Sequence, residues 1–324
     1  MVFLGVDGGG TKTSFALVSG DGKLLAATTR GPSHPDQVGM EGVAQTLTQG
    51  VHNICAAAGI AASQIRFGYW GLPGYGENLE HIPQLHAIIE NIMGKQNYRC
   101  GNDVEAGWAG SLAGEPGVHI VAGTGAIGFG VDPKGQTARA SGWGELFGDE
   151  GSAYWLGRRL LELFGKQSDG RMPKTQLYEL VKAARGLKRD LDLLTQTETL
   201  YQRRELAKLA QVVYQAAVEG DPHALDLFRE AAYEHSLIAK AIIHQLEFPP
   251  GFTVPVSYSG GVFRAGRFVL DPLAEYLQPL GAVLVEPKLG PLMGACLYAM
   301  KLSGTEISSA LVQRLQEAKK ALAD

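Results

Sequence analysis

Val2-Phe3-Leu4-Gly5-Val6-Asp7-Gly8-Gly9-Gly10-Thr11-Lys12-Thr13-Ser14-Phe15-Ala16-Leu17-Val18-Ser19 is the stretch from which the fold is read. Val2 to Val6 is an apolar run short enough for a buried strand, and Thr13 to Ser19 is a second one. Between them, consecutive glycines let backbone N–H groups converge on one point, an arrangement that suits an anion. The hydroxyls of Thr11 and Thr13 are placed to reach phosphate oxygens or a metal-bound water. Asp7 would then hold Mg²⁺ through water, because that ion keeps much of its hydration shell. The plainer alternative is a tight hairpin with an Asx-turn.

Outward from this hairpin, Ser19-Gly20-Asp21-Gly22-Lys23 reads as a turn and Lys23 to Thr29 as a third strand. Met40 to Gly59 has helical spacing and ends on glycine. Ile65 to Gly71 reads as a strand and Ile82 to Met93 as a helix. Tyr98 to Cys100 reads as a strand ending just before Asn102-Asp103, and Val104 to Leu112 as a helix of small residues. The pattern then restarts. Val118 to Ala122 is a strand, Gly123-Thr124-Gly125 a glycine turn, Ala126 to Val131 a strand and Asp132 to Gly135 a turn. A repeated strand, glycine loop, strand and Asp-Gly turn points to two domains that each open with a phosphate-gripping hairpin. Residues 151–245 read as mainly helical. Val254 to Ser259 and Ala282 to Glu286 read as strands, and Gly290 to Ala295 opens a helix. The tail from Glu306 to Ala323 reads as an amphipathic helix that could pack back on the first domain. Strands mixed with long helices define an α/β protein. The expected domains are 1–113 and 114–305, the second with a helical insertion, plus the tail helix at about 306–324.

Two rival glycine motifs fail on context. Gly5 to Lys12 nearly spells a Walker A loop, but Thr11 stands where lysine is required and a strand follows instead of a helix. Gly123-Thr124-Gly125-Ala126-Ile127-Gly128 fits GxGxxG, yet it too runs into a strand and turn where a dinucleotide fingerprint needs a helix.

Composition excludes further classes. The net charge of −4 over 324 residues gives no basic footprint for nucleic acid. Cys55, Cys100 and Cys296 are odd in number and far apart, so a zinc ribbon, an iron–sulfur site or a disulfide frame is not expected. Reduced thiols and a cytoplasmic location are the default. The N-terminal apolar run lacks a basic region and a cleavage pattern, so a signal peptide is not expected. No stretch approaches 18 uninterrupted apolar residues. His52, His86 and His119 sit in apolar stretches and read as satisfied core residues. No paired-histidine spacing suggests a tight metal site, and no GxSxG elbow suggests a hydrolase.

Asp103 is the leading catalytic candidate. It falls at the carboxyl end of a strand and the start of a helix. Phosphoryl transfer to an alcohol needs a carboxylate that orients the hydroxyl and takes its proton. The competing role is a helix N-cap. A second dense stretch runs from Gly142 to Ser152, with Trp143, Asp149 and Glu150 supplying the aromatic face and carboxylates that grip a sugar. Its competing role is an Ω-loop in which Asp149 or Glu150 caps the next helix.

Read together, these loops resemble the five-part signature of the actin-like ATPase superfamily that includes hexokinases. Asp7 to Thr11 looks like its first phosphate motif, Asp103 its first connecting motif, and Gly123-Thr124-Gly125 its second phosphate motif. Ser259-Gly260-Gly261-Val262-Phe263 looks like its adenosine motif and Gly290 to Ala299 its second connecting helix. Within that superfamily the chain resembles the BadF/BadG/BcrA/BcrD group, and most of all the N-acetylglucosamine kinases within it. Gly8-Gly9-Gly10-Thr11, Gly101-Asn102-Asp103 with Ala106, and Gly142-Trp143-Gly144 through Gly148 to Trp155 carry that likeness.

The resemblance implies two actin-like, ribonuclease H-like domains with a cleft between them, ATP and Mg²⁺, and a homodimer. It implies phosphorylation of an amino sugar at its 6-hydroxyl, with N-acetylglucosamine first and glucosamine as the alternative. It assigns Asp103 as base. It places Gly9, Gly10, Thr11, Lys12, Thr124, Gly125, Gly261 and Ala265 at ATP. It places His34, Asn102, Asp103, Trp143, Gly144, Asp149 and Glu150 at the sugar. The family usually carries Asn after the third strand; His34 stands at or beside it and lacks the amide's paired donor and acceptor. A dehydratase-activating ATPase of the same group would need cluster-holding cysteines. A DNA-binding sugar sensor would need a basic surface and a helix-turn-helix pattern ahead of Val2.

Overall fold

A computed structural model describes residues 1–200 and 202–320. The first segment carries β1 Val2–Asp7, β2 Thr13–Ser19, β3 Leu24–Arg30, α1 Pro35–Ala58, β4 Ile65–Leu72, α2 His81–Met93, β5 Tyr98–Asn102 and α3 Asp103–Ser111. The strands lie in the order β3-β2-β1-β4-β5. The β1–β2 and β2–β3 pairs are antiparallel, and β1–β4 and β4–β5 are parallel. Gly39, at φ 66° and ψ 167°, interrupts α1, so regular helix starts at Met40.

The second segment carries β6 Gly117–Ala122, β7 Ala126–Val131 and β8 Thr137–Ser141. Then follow α4 Ala153–Ser168, α5 Gln176–Arg185, α6 Thr197–Leu200, α7 Arg203–Lys208, α8 Ala210–Val218 and α9 Pro222–Gln245. It closes with β9 Val254–Ser259, α10 Arg267–Leu277 and β10 Ala282–Leu284. Its sheet runs β10-β9-β6-β7-β8. The β6–β7 and β7–β8 pairs are antiparallel, and β6–β9 and β9–β10 are parallel. With the strands of each segment taken in chain order, this is the topology of the first sheet repeated. The strand β8 follows the Asp132–Gly135 turn, and sequence spacing alone does not announce it. The chain ends with α11 Pro291–Leu302 and α12 Ser309–Lys320.

Two compact units result: residues 1–116 with the chain from Glu286 onward, and Gly117–Val285. The boundary expected at 305 is therefore corrected to 285. Residues 286–305 belong to the first unit because α11 buries Met293, Cys296, Leu297 and Met300 in a core with Phe3, Ala16 and Val18. Leu311 and Leu315 of α12 join that same core. Of the tail read as helix to Ala323, residues 321–323 lie outside the described residues.

The alternation along β1 and β2 explains why Val2–Val6 and Phe15–Val18 carry no polar side chain. Phe3, Ala16 and Val18 face α11 and α12, whereas Leu4, Val6, Phe15 and Leu17 face a second core with Val43, Leu47, Ile54, Leu85 and Ile89 of α1 and α2. A sheet covered on both faces leaves no polar side to either strand. Gly5 is required on the α11 face, where a Cβ would stand 2.6 Å from the Cys296 backbone nitrogen. In the second unit Val118, Ile120 and Ala122 share one core with Leu156, Leu160, Phe228 and Ile242.

Candidate active site

In the first unit the chemistry gathers at the carboxyl ends of β1, β4 and β5. The loop Gly8–Lys12 leaves β1 with Gly8 donating its N–H to the Gly71 carbonyl at 2.8 Å. None of Gly8, Gly9 or Gly10 has a positive φ. Glycine is needed here for space: a Cβ at Gly8 would sit 2.7 Å from Ser33 Oγ and 2.8 Å from Pro73, and one at Gly10 2.9 Å from the Gln37 amide. Ser33 is buried, and the Thr13 hydroxyl donates to its Oγ at 2.9 Å, which ties the hairpin to the chain entering α1. Thr13 thus serves the scaffold, while Gly10, Thr11 and Lys12 are exposed and Gly9 is half-buried.

Asp103 is the first residue of α3 and is half-buried. The cap of that helix is Asn102, whose side-chain oxygen accepts from the Val104 N–H at 3.2 Å. The Asn102 N–H in turn donates to Glu105 at 3.1 Å, completing a capping box. The Asn102-x-x-Glu105 spacing is the signal that would have identified this cap from sequence. The capping role considered for Asp103 therefore belongs to Asn102. Asn102 is buried and its amide nitrogen also donates to the Tyr75 carbonyl at 3.2 Å, so it holds the β5–α3 corner. Gly71 lets that corner close on β4, since a Cβ there would lie 3.3 Å from the Asp103 Cα.

Asp7 and Asp103 sense each other. Burial first, and then the negative charge of Asp103, push the Asp7 carboxyl up to about 7, while Lys12 pulls it down. Two mutually repelling carboxylates beside a phosphate-type loop form a donor set that fits a hydrated dication. Among the described residues no group of three or more His, Cys, Asp or Glu forms a protein-only cage. Magnesium is commonly held by one or two carboxylates together with phosphate oxygens and water.

His34 caps α1, its Nδ1 accepting from the Asp36 N–H at 3.3 Å. That leaves Nε2 as the neutral ring's donor. Nε2 lies 3.4 Å from where a Gly74 Cβ would stand.

In the second unit the loop Gly123–Gly125 is pinned by the start of α4. The Ala153 N–H donates to the Gly123 carbonyl at 2.8 Å and the Tyr154 N–H to the Thr124 carbonyl at 3.4 Å. Ser152, not Asp149 or Glu150, caps α4 by accepting from the Trp155 N–H at 3.1 Å. Thr124 is exposed. Beside this loop, Leu156, Tyr214, Phe228, Gly261, Val262, Arg264 and Ala265 are among the residues lining a cavity of about 320 Å³. An apolar cavity with few polar groups and an exposed cation suits a purine nucleoside. Gly260, at φ 107°, must be glycine because a Cβ would collide with the Ala122 backbone.

Within the second unit the residues expected at the sugar differ in exposure. Trp143 is 74% exposed at the tip of the loop 142–151, with Leu146 and Phe147 exposed beside it. Gly144 turns that loop at φ 79° and accepts from the Gly148 N–H at 2.9 Å. Glu150 is half-buried. Asp149 is 2% exposed, at φ 60°. Its Oδ1 accepts from the Ala126 N–H at 3.0 Å, and its Oδ2 pairs with Arg203. Arg203, Ser33, Tyr75 and the apolar cavity walls carry no motif and are legible only in three dimensions.

The three histidines divide. His119 is fully buried between Ser257 Oγ and Ser259 Oγ, each at 3.0 Å, and burial pushes its pKa down to about 3. His86 bonds the hydroxyls of Tyr75 and Tyr98 at 3.0 and 2.7 Å. His52 is exposed on α1, which corrects its reading as a core residue.

Two sheets of identical topology, each opening with a strand–glycine loop–strand hairpin, define a protein of two actin-like domains. Residues 4–299 match the BadF/BadG/BcrA/BcrD ATPase family, and the chain belongs to it. An N-acetylmuramic acid/N-acetylglucosamine kinase of Clostridium acetobutylicum is 28% identical over 279 residues, 85% of this chain and 89% of that one. An N-acetyl-D-glucosamine kinase of Dictyostelium discoideum is 26% identical over 92% of this chain and 98% of its own. A solved structure from Chromobacterium violaceum, provisionally named an N-acetylglucosamine kinase, superposes with a TM-score of 0.71 at 29% identity. It covers 92% of this chain and 98% of that one.

Proposed function

We propose that this protein is an amino-sugar kinase that transfers the terminal phosphoryl group of ATP to the 6-hydroxyl of N-acetylglucosamine. The observation that carries the reading is Asp103. It opens α3 at the carboxyl end of β5, with the capping duty taken by Asn102 and the carboxylate of Asp7 near enough to be felt. Asp103 orients the sugar hydroxyl and accepts its proton as the oxygen attacks phosphorus. Asn102 and Glu105 fix the base by closing the helix end behind it. His34 supplies one donor to the sugar from the rim of the first unit.

The phosphate contacts fall to Gly9, Gly10, Thr11 and Lys12 in the first unit and to Thr124 and Gly125 in the second. The nucleoside takes the cavity at Gly261 and Ala265. Mg²⁺ supplies charge neutralisation on the phosphates, and Asp7 would hold it through water. On the sugar side Trp143, Gly144, Asp149 and Glu150 contribute from the second unit. A dehydratase-activating role is disfavoured by the cysteines, since Cys55, Cys100 and Cys296 are each buried and unpaired. We place the enzyme in the cytoplasm and expect a homodimer.

The test is ADP release over a panel of N-acetylglucosamine, glucosamine, N-acetylmuramic acid, N-acetylmannosamine, N-acetylgalactosamine and glucose. N-acetylglucosamine is expected to give the highest kcat/KM. ADP at background with every sugar would defeat the kinase reading.

A further inference from the structure

We propose that Arg203 is a further nucleotide-binding residue, and that its exchange of partners couples ATP binding to the availability of Asp149. The proposal rests on the reading above, in which Gly123–Gly125 receives phosphate and Asp149 receives sugar.

Arg203 opens α7, far from the phosphate loop in sequence. Its guanidinium nevertheless lies against that loop, and a Cβ at Gly125 would run into it. Two carboxylates hold it there: Asp149 through Oδ2, and Glu145, whose oxygen stands 3.4 Å from Nε. Nε itself is buried and makes no hydrogen bond among the described residues, although the side chain as a whole is 38% exposed. The cation at the loop therefore has donors to spare. A planar guanidinium matches phosphate oxygens in pairs, which a lysine cannot do.

Asp149 stands at the same time in a left-handed conformation, which aspartate tolerates better than most non-glycine residues. Both of its oxygens are occupied in the ligand-free protein, one by Ala126 N–H and one by Arg203. A phosphate tail on Gly123–Gly125 competes with Asp149 for the guanidinium. As Arg203 turns to the phosphates, Oδ2 is released as an acceptor for a sugar hydroxyl, while Oδ1 keeps the Ala126 N–H. Linkage makes the effect reciprocal: ATP tightens sugar binding and sugar tightens ATP. Adenosine fills the cavity without phosphates and produces no such effect.

The test uses the full chain and calorimetry with a non-hydrolysable ATP analogue and with adenosine. In Arg203→Met the analogue should weaken by roughly ten- to a hundredfold, the range for a lost charge-assisted pair, with adenosine changed by less than about threefold. In the wild type, N-acetylglucosamine should bind about fivefold or more tightly with the analogue present, and Arg203→Met should erase that gain. If Arg203→Met fails to fold by circular dichroism, Arg203→Gln carries the same comparison. An unchanged ratio of analogue to adenosine affinity in the folded variant overturns the proposal, as does a wild type that binds the analogue no more tightly than adenosine. A falling ratio without coupling to sugar keeps Arg203 as a phosphate ligand and overturns the exchange with Asp149. A protein that phosphorylates no sugar sinks the kinase reading alone, because the nucleotide comparison needs no sugar.

Discussion

Asp7 at the end of β1 and Asp103 at the start of α3 are carboxylates close enough to repel, yet their proposed tasks differ. Asp103→Asn keeps the shape and the hydrogen-bonding reach of the side chain but cannot take a proton. It should lower kcat by roughly a hundred- to ten-thousandfold while sugar affinity by calorimetry stays within a few-fold; near-normal turnover would contradict the base assignment. Asp7 makes a prediction in the pH dimension. Its carboxyl ionises near 3.8 when unfolded and near 7 in the ligand-free fold. Between those values the unfolded chain gives up its proton first, so this residue lowers stability as pH rises, and the full penalty is present above about pH 7. Asp7→Asn removes the penalty. In metal-free, nucleotide-free buffer the variant should melt higher than wild type at pH 8, with the gap closing towards pH 4. A gap that widens at low pH would reverse the assignment. The same variant should lose Mg²⁺-dependent ATP binding.

At the scale of elements, the helix pair α3–α11 sets the first unit. Gly294 of α11 presses on α3 so closely that a Cβ would meet the Ala106 carbonyl and stand 2.5 Å from the Gly110 nitrogen. Gly110 answers from the other side, a Cβ there lying 2.6 Å from the Gly290 carbonyl. The obstacle is backbone, which cannot swing away as a side-chain tip can. Gly294→Ala is therefore expected to cost about 2–3 kcal/mol of stability by urea unfolding, at the upper end of overpacking penalties. It should also lower kcat, because α3 carries Asp103 at its first position. Unchanged stability would mean that the helices separate freely. The β7 glycines make room instead for side chains of α9 in the second unit. A Cβ at Gly128 would lie 2.8 Å from Ile242 of α9, so the helical insertion packs directly on strand backbone. This accounts for a strand rich in glycine, a composition that ordinarily weakens strands.

For the whole molecule, the two units carry separate elements of the proposed site: Asp103 with a glycine loop in one, and the cavity beside Gly261 with a second glycine loop in the other. ATP with Mg²⁺ at about a hundred times its Kd should stabilise the protein by about 2.7 kcal/mol, seen as a thermal midpoint raised by a few degrees. A midpoint unmoved by millimolar nucleotide would count against the cavity beside Gly261 as its seat. The opening hairpin of each sheet was legible because a short apolar strand, a glycine loop and a second strand follow one another, and because the pattern repeats at Val118. The misplaced boundary at 305 has a tertiary cause. Residues 286–305 look locally like a continuation of the second unit, and only the contact of Met293 and Cys296 with Phe3 and Ala16 returns them to the first.

Local chemistry alone determined the hairpins at Asp7–Thr13 and Ala122–Ala126, the position of Asp103 at a strand–helix corner, and the capping box from Asn102 to Glu105. In each case the interacting groups lie within a few residues of one another, so spacing is enough to read them. Tertiary structure decided the rest. Ser33 under Gly8, the cavity between α4, α8, α9 and the Gly261 turn, and the Arg203–Asp149 pair at Gly125 all join residues distant in the chain. Their chemistry depends on distance and burial, which no run of sequence encodes by itself. That is why Asp149, read as a sugar contact or a helix cap, is found as a buried carboxylate paired with an arginine from another helix.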